Sequence, residues 1–266
     1  MPELAEVAFA CSIWNSHLNQ EIKKVEVNKT SRVFRSCEPE LVEDALSQTT
    51  ITSSATHGKQ MLFKFTGNKW LGVHLGMTGS ISLGKATYSA QKHDALVLYQ
   101  NSAALIFKDP RQFGKVRLHI GKTGPPWWND LPVSMLDKKF DQQIVKMALK
   151  RHAKRPIKAL LLDQRYFQGM GNWMADEVLW RAGIHPASPC GEIKEKAATR
   201  LFKQTLFVAR GAMKSVGQNG GDPPKGWLFH TRWKDGGLCP KTGKKLRREK
   251  IGGRTSCWSP HIQKLI

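Results

Sequence analysis

Acidic residues are scarce in this chain. Asp and Glu number 21 against 42 Lys and Arg, which leaves a net charge of +21 over 266 residues. Such an imbalance argues against a cationic partner and points to a polyanion, with nucleic acid first and an anionic membrane surface second. Long apolar runs are missing as well. No stretch is long enough to span a bilayer as a helix. The first residues lack the charged, apolar, small-residue order of a secretion signal, so no leader is expected. Cysteine is sparse and odd in number: Cys11, Cys37, Cys190, Cys239 and Cys257 are scattered. That disfavours a disulfide framework and fits free thiols in a reducing compartment. Disorder is disfavoured by a hydrophobic content of 40%. The length suits one large domain or two medium ones.

The apolar pattern changes character along the chain. Leu4, Val7, Cys11, Trp14 and Leu18 recur at helical spacing, which predicts an amphipathic helix over Glu3 to Leu18. From Ile22 to Leu83 the period shortens toward two. Strands are predicted at Lys24 to Val27, Met61 to Phe65, Trp70 to Leu75, Ala95 to Tyr99, Ala103 to Phe107 and Lys115 to His119. Gly67-Asn68 reads as a turn. Gly121 to Pro126 reads as a linker. Helical spacing then returns at Pro132 to Lys138, Asp141 to Arg151, Pro156 to Asp163, Trp173 to Ala182 and Glu192 to Val216. Gly217 to Lys225 reads as a loop, and the tail with Gly236-Gly237 and Gly252-Gly253 as a short hairpin. The expected fold is α+β with two domains. Residues 1–120 form a β-sandwich with an N-terminal helix, 121–126 a linker, 127–224 a helical domain and 225–266 a β-hairpin.

Several residues carry chemistry. Methionine before a small residue is usually trimmed, which would leave Pro2 with a free secondary amine. Such an amine attacks an electrophilic sugar carbon and forms an iminium ion. Its pKa, roughly 7.7–8.0 for a free α-amino group, keeps part of it neutral near physiological pH. Glu3 beside it is a candidate acid or base. Asn172 is placed to cap the helix opening at Trp173 after Gly169-Met170-Gly171, and a bare helix N-terminus suits a phosphate. Met77, Arg111 and Phe113 lie on turns between strands. On spacing alone Met77 and Phe113 read better as core residues, and the two helices at least as well as an ordinary helical hairpin. Exposed instead, they would suit a wedge that unstacks a duplex, with the arginine filling the vacancy of an extruded base.

These stretches together resemble the formamidopyrimidine-DNA glycosylase and endonuclease VIII family of base-excision repair enzymes. Met1-Pro2-Glu3-Leu4-Ala5-Glu6-Val7 is similar to the family's start, and His57-Gly58-Lys59 to its glycine–lysine hairpin. His74 to Ser80 and Asp109 to Gly114 resemble its intercalation loops. Leu160-Leu161-Leu162-Asp163-Gln164, Gly171-Asn172 and Ala175-Asp176-Glu177 resemble its helix–two-turn–helix, and Gly253-Arg254-Thr255 the tip of its hairpin finger. The matches keep family order over nearly the whole chain.

The resemblance implies roles for these positions. Pro2 is the nucleophile, Glu3 protonates the opening sugar, and Lys59 belongs to the catalytic set. Lys59, Asn172 and Arg254 hold phosphates. Met77, Arg111 and Phe113 fill the void, and Glu6 and Glu177 are supporting residues. It implies a bifunctional glycosylase and abasic-site lyase for oxidised bases, acting on double-stranded DNA as a monomer with no membrane partner. The alternative is a damaged-DNA-binding protein that has lost its chemistry. An RNA or ribosome partner would fit the charge, but no motif supports it. The compartment would be cytoplasm and nucleoid in a prokaryote, and nucleus or organelle in a eukaryote.

Three departures stand out. Ala5 and Ala8 replace the family's usual proline and glutamate. Of the family's four zinc cysteines one remains: the pairs read Cys239-Pro240-Lys241-Thr242 and Ser259-Pro260-His261-Ile262, with Cys257 two positions early. Ser, Thr and Ile cannot complete a thiolate shell. The expectation is no metal and no cofactor: a zincless finger packed through Trp227, Phe229, Trp233, Leu238, Leu246, Ile251 and Trp258. The Gly217 to Lys225 loop is also short for an 8-oxoguanine cap. Expected lesions are therefore formamidopyrimidines, further-oxidised guanines or oxidised pyrimidines, with weaker excision of 8-oxoguanine.

Overall fold

The alternating N-terminal half resolves into two antiparallel sheets in the computed structural model, which describes residues 1–265. Helix α1 is Leu4–Asn15. The strands that follow are β1 (Glu21–Ile22), β2 (Lys24–Val27), β3 (Thr49–His57), β4 (Gln60–Phe65), β5 (Lys69–His74), β6 (Ser80–Lys85), β7 (Asp94–Tyr99), β8 (Ala103–Lys108) and β9 (Lys115–Ile120). One sheet has the order β1-β3-β4-β5-β9 and the other β2-β7-β8-β6. Their apolar faces share one core: Phe63, Phe65, Leu71 and Val73 from the first sheet, Leu96, Leu98, Leu105 and Phe107 from the second. Val7, Cys11 and Trp14 of α1 join the same core. A large side chain such as Trp14, fully buried, is the kind whose burial stabilises by roughly 1.5–3 kcal/mol or more.

Helix α2, Pro39–Leu46, lies inside the region read as strands. Proline opens it, and Val42 and Leu46 at i, i+4 turn inward. With only eight residues it gives a faint helical period between two strand patterns.

The chain divides into two units. One comprises Met1–Pro2 and Glu6–Leu131, the other Glu3–Ala5 and the chain from Pro132. The division falls after the expected 121–126 linker because helix α3, Pro126–Asn129, stays with the first unit. The Arg117 guanidinium lies 5.0 Å over the Trp127 ring, and Trp128 meets His57 edge-on at 6.0 Å.

The second unit is built on α4 (Gln142–Arg151), α5 (Ile157–Leu161), α6 (Asn172–Ala182) and α7 (Glu195–Ala212). Asp141 caps α4 by accepting from the Ile144 N–H at 3.0 Å. The expected helix over Pro132 to Lys138 is absent. There the Ser134 hydroxyl accepts from Leu136 N–H, and the backbone folds into turns that bury Met135 and Phe140. Helix α6 is the centre of the unit, with nine of its eleven residues buried. Helix α7 continues through a π turn at Met213–Gly217, and helical backbone runs on to Asn219. The loop expected from Gly217 therefore begins only at Gly220. The tail forms the expected hairpin, β10 (Arg247–Ile251) against β11 (Arg254–Trp258). No helix among the described residues is long and apolar enough to cross a membrane.

Candidate active site and nucleic-acid interface

In the first unit the turn between β3 and β4 presents Lys59, which is 8% exposed. Its ammonium lies 3.8 Å from the Met1 sulfur, so the turn brings a cation beside the chain's first residues. Pro2 is half-buried, and Glu6 lies in the first turn of α1.

The same unit brings the two candidate wedge loops together. Met77 follows β5 and is half-buried. Arg111, Gln112 and Phe113 lie between β8 and β9. Phe113 is 48% exposed, and the Arg111 guanidinium stands 4.8 Å over its ring. Phe113 is thus not a core residue. Asp109, which sequence reasoning left without a role, is buried between the loops. One carboxylate oxygen accepts from the Thr78 hydroxyl at 3.3 Å, the other from the Gly114 N–H at 2.6 Å. Gln112 takes a φ of +55° and accepts from the Arg32 N–H at 2.9 Å. Arg35 donates to the Gly114 carbonyl at 2.5 Å. His74 Nδ1 accepts from the Gly76 N–H at 3.0 Å. Burial, helped by the cations Lys59, Arg35 and Arg117, pushes its imidazole down to about 4. It is neutral at physiological pH, which that acceptor role requires.

In the second unit Glu3 sits at the start of α6. Its carboxylate accepts from the Trp173 N–H at 2.9 Å and the Met174 N–H at 3.1 Å. Gly171 makes this possible, because a Cβ there would lie 2.1 Å from the Glu3 carboxyl carbon. The expected cap by Asn172 is therefore corrected. Asn172 is the first residue of α6, its amide donates to the Thr255 carbonyl at 2.9 Å, and the helix N-terminus holds a carboxylate where a phosphate was expected. One amide hydrogen of Asn172 remains for another acceptor. Arg254 is exposed at the hairpin tip. Glu177 is buried and accepts from Arg181 at 2.6 Å; burial pushes its carboxyl up while Arg181 opposes the shift. The structure thus collects Glu3, Asn172 and Arg254 in one unit, and the Lys59 turn and the wedge loops in the other.

A buried ion cluster lies under the hairpin. Asp176, 1% exposed, accepts from Lys158 at 2.5 Å, from Arg232 at 2.5 and 3.2 Å, and from the Cys257 N–H at 3.0 Å. The signal in the sequence was a single Lys in the apolar run Ile157–Leu161 and a single Asp inside a buried helix. Charged residues are seldom fully buried unless paired.

The Cys239 sulfur accepts from the Trp180 indole at 3.3 Å. Burial pushes the Cys257 thiol up to about 12, whereas at Cys239 burial is outweighed by hydrogen bonds from Thr242 and Trp180, which bring that thiol down. Among the described residues no three His, Cys, Asp or Glu groups lie where they could hold a metal. Trp180, Leu228, Cys239, Leu246 and Cys257 pack as a small core instead. Trp258 is buried 4.1 Å from the His185 ring. Trp233 and Leu238, both expected to pack, are more than half exposed. Trp227 and Phe229 pack with the helical core rather than the hairpin.

Residues 1–116 match the formamidopyrimidine-DNA glycosylase N-terminal domain and residues 131–220 the formamidopyrimidine-DNA glycosylase H2TH domain. The chain belongs to the formamidopyrimidine-DNA glycosylase family. It is 31% identical to the formamidopyrimidine-DNA glycosylase of Exiguobacterium, covering 99% of both chains. To the Arabidopsis thaliana protein of that name it is 30% identical, over all of this chain and 71% of the relative. Among solved glycosylase structures, wild-type Lactococcus lactis Fpg with an oxidised-pyrimidine DNA aligns at a TM-score of 0.88. The identity is 26%, over 99% of this chain and 100% of that one. The two-domain fold, with N-terminal sheets, a helical region and a terminal hairpin, is that of the glycosylase family.

Proposed function

We propose that this protein is a bifunctional DNA glycosylase and abasic-site lyase that removes oxidised bases. Family membership over the whole chain carries the reading, and the Met1-Pro2-Glu3 start within it supports the chemistry. After removal of Met1, the Pro2 amine attacks C1′ of the damaged nucleotide. The base departs, and Glu3 gives a proton to the sugar ring oxygen as the ring opens. The amine loses its proton and an iminium forms between Pro2 and C1′. The iminium acidifies the C2′ protons. Loss of one expels the 3′ phosphate, and a further elimination expels the 5′ phosphate. Lys59, Asn172 and Arg254 hold phosphates of the flipped nucleotide. Met77, Arg111 and Phe113 occupy the gap it leaves, with Arg111 addressing the orphaned base.

The short loop after Asn219 supports a preference for formamidopyrimidines, further-oxidised guanines or oxidised pyrimidines over 8-oxoguanine. Segment 225–266 holds eleven Lys or Arg against two Asp or Glu. Affinity accordingly falls steeply with salt. Borohydride trapping on lesion-containing duplexes tests the chemistry, since an iminium former becomes covalently joined to DNA. The processed protein is expected to be trapped readily, and Pro2→Gly, whose N-terminal amine is primary, far more slowly; a form that retains Met1 and is trapped as fast would remove Pro2 from the role. DNA binding without trapping on any lesion would mark the chain as a catalytically degenerate damage binder.

A further inference from the structure

Strand β11 is fastened to the N-terminal half of α6 at two points. Asn172 donates to the Thr255 carbonyl at 2.9 Å, and Asp176, one turn on, accepts from the Cys257 N–H at 3.0 Å. Thr255 and Cys257 are two residues apart and present their backbone to the same side. The helix thus meets the strand as a neighbouring strand would, but with side chains. The hairpin tip has a third point of rest on α5. Gly252, at a φ of +58°, lies so near Ala159 that a Cβ would come within 2.7 Å of its side chain. Arg254 stands between the tip and the two fastened residues.

We propose that Asp176 is a positioning residue that sets Arg254 beside Asn172 for a shared phosphate. Its carboxylate has four donors, from Lys158, Arg232 twice and Cys257. Lys158 also donates to the Asn172 carbonyl at 2.7 Å. Arg232 belongs to the segment leading into the hairpin. One buried carboxylate therefore ties α5, α6, that segment and β11 together. A buried carboxylate with four donors of this kind fixes one arrangement of the groups around it. In this hairpin it does the work of registering Arg254 against the helix. The inference rests on the reading of Arg254 as a phosphate ligand.

Equilibrium binding to a duplex with a tetrahydrofuran abasic analogue tests it, because no chemistry by Pro2 is needed. The wild-type chain, Asp176→Asn, Arg254→Ala and the double variant are compared at several salt concentrations. Asp176→Asn is expected to weaken binding by about tenfold, the loss of one charged hydrogen bond. The slope of log affinity against log salt should drop by about one. In the Arg254→Ala background the same substitution should cost less than about twofold, because the group it positions is gone. Should Asp176→Asn fail to fold, Asp176→Glu and Arg232→Lys carry the same cycle. Equal losses in both backgrounds, or an unchanged salt slope, would overturn the positioning role alone. Full affinity in Arg254→Ala by itself would overturn the phosphate reading and this inference with it.

Discussion

Glu3 and Trp173 are 170 residues apart in sequence and joined by a 2.9 Å hydrogen bond, the helix N–H donating to the carboxylate. The Met174 N–H makes the second bond at 3.1 Å. The pair holds both carboxylate oxygens in a fixed plane, and Glu3 follows Pro2 directly in the chain.

Glu3→Gln keeps one acceptor and turns an amide toward the other N–H. Stability should fall by about 1 kcal/mol, from a lost hydrogen bond and a lost anion at a helix N-terminus. Release of a lesion base should slow by about 100-fold or more, as for loss of a general acid. Incision of a preformed abasic site should suffer less. Single-turnover rates on the two substrates check this, and equal losses on both would remove the assigned role.

Asp109 offers a second test. Asp109→Ala leaves the buried Gly114 N–H unpaired, at a cost of about 1–3 kcal/mol. It also frees the Met77 loop from the Arg111–Phe113 loop. Excision of a stacked lesion should drop by about tenfold or more, while abasic-site incision changes by less than about threefold. A 2-aminopurine next to the lesion should report slower base extrusion. Unchanged extrusion with a lowered melting temperature would make Asp109 merely structural.

Much of this was legible in the sequence, and the reasons differ by element. Strands such as Lys24–Val27 and Ala103–Lys108 keep a clear pattern between turn residues, so pattern and structure agree. Helix Pro39–Leu46 shows two turns only, too few for its period to stand out. Pro132 to Lys138 has helical spacing, but its Ser134 side chain competes for the backbone. The Glu3 contact to α6 spans 170 residues, and no local spacing encodes such a pairing. Lys158 was visible only as a lone charge in an apolar run and Asp176 only as the neighbour of Glu177; that they meet is a fact of packing.

His74 predicts a pH dependence. Its folded value, about 4, is depressed from 6.5 by burial and nearby cations. The unfolded chain therefore binds the proton more readily between these values. The stability this neutral histidine contributes is present above pH 6.5 and lost as pH falls toward 4. The loss amounts to about 2 kcal/mol by pH 5. His74→Asn keeps an acceptor for Gly76 without a titrating ring, so it should remove that part of the slope between pH 7 and pH 5. Denaturant midpoints for both proteins check it. Parallel curves would mean that His74 is not the group responsible.

The hairpin should fold and work without zinc. A structural zinc contributes on the order of 10–16 kcal/mol in finger peptides, so its replacement must be substantial. Leu228, Leu246, Ile251 and Trp258 are all buried. Such side chains stabilise by roughly 1.5–3 kcal/mol each, which together is of the same order. The Asp176 cluster adds direction to that packing, because it bonds the strand backbone at Cys257. Elemental analysis should therefore find zinc well below one per chain. A chelator should leave both melting temperature and incision unchanged. Cys239→Ser and Cys257→Ser should each keep most of the activity, since neither sulfur is needed as a thiolate. Stoichiometric zinc that leaves together with activity, or collapse of the hairpin in both cysteine variants, would show that metal rather than packing holds Arg254 in place.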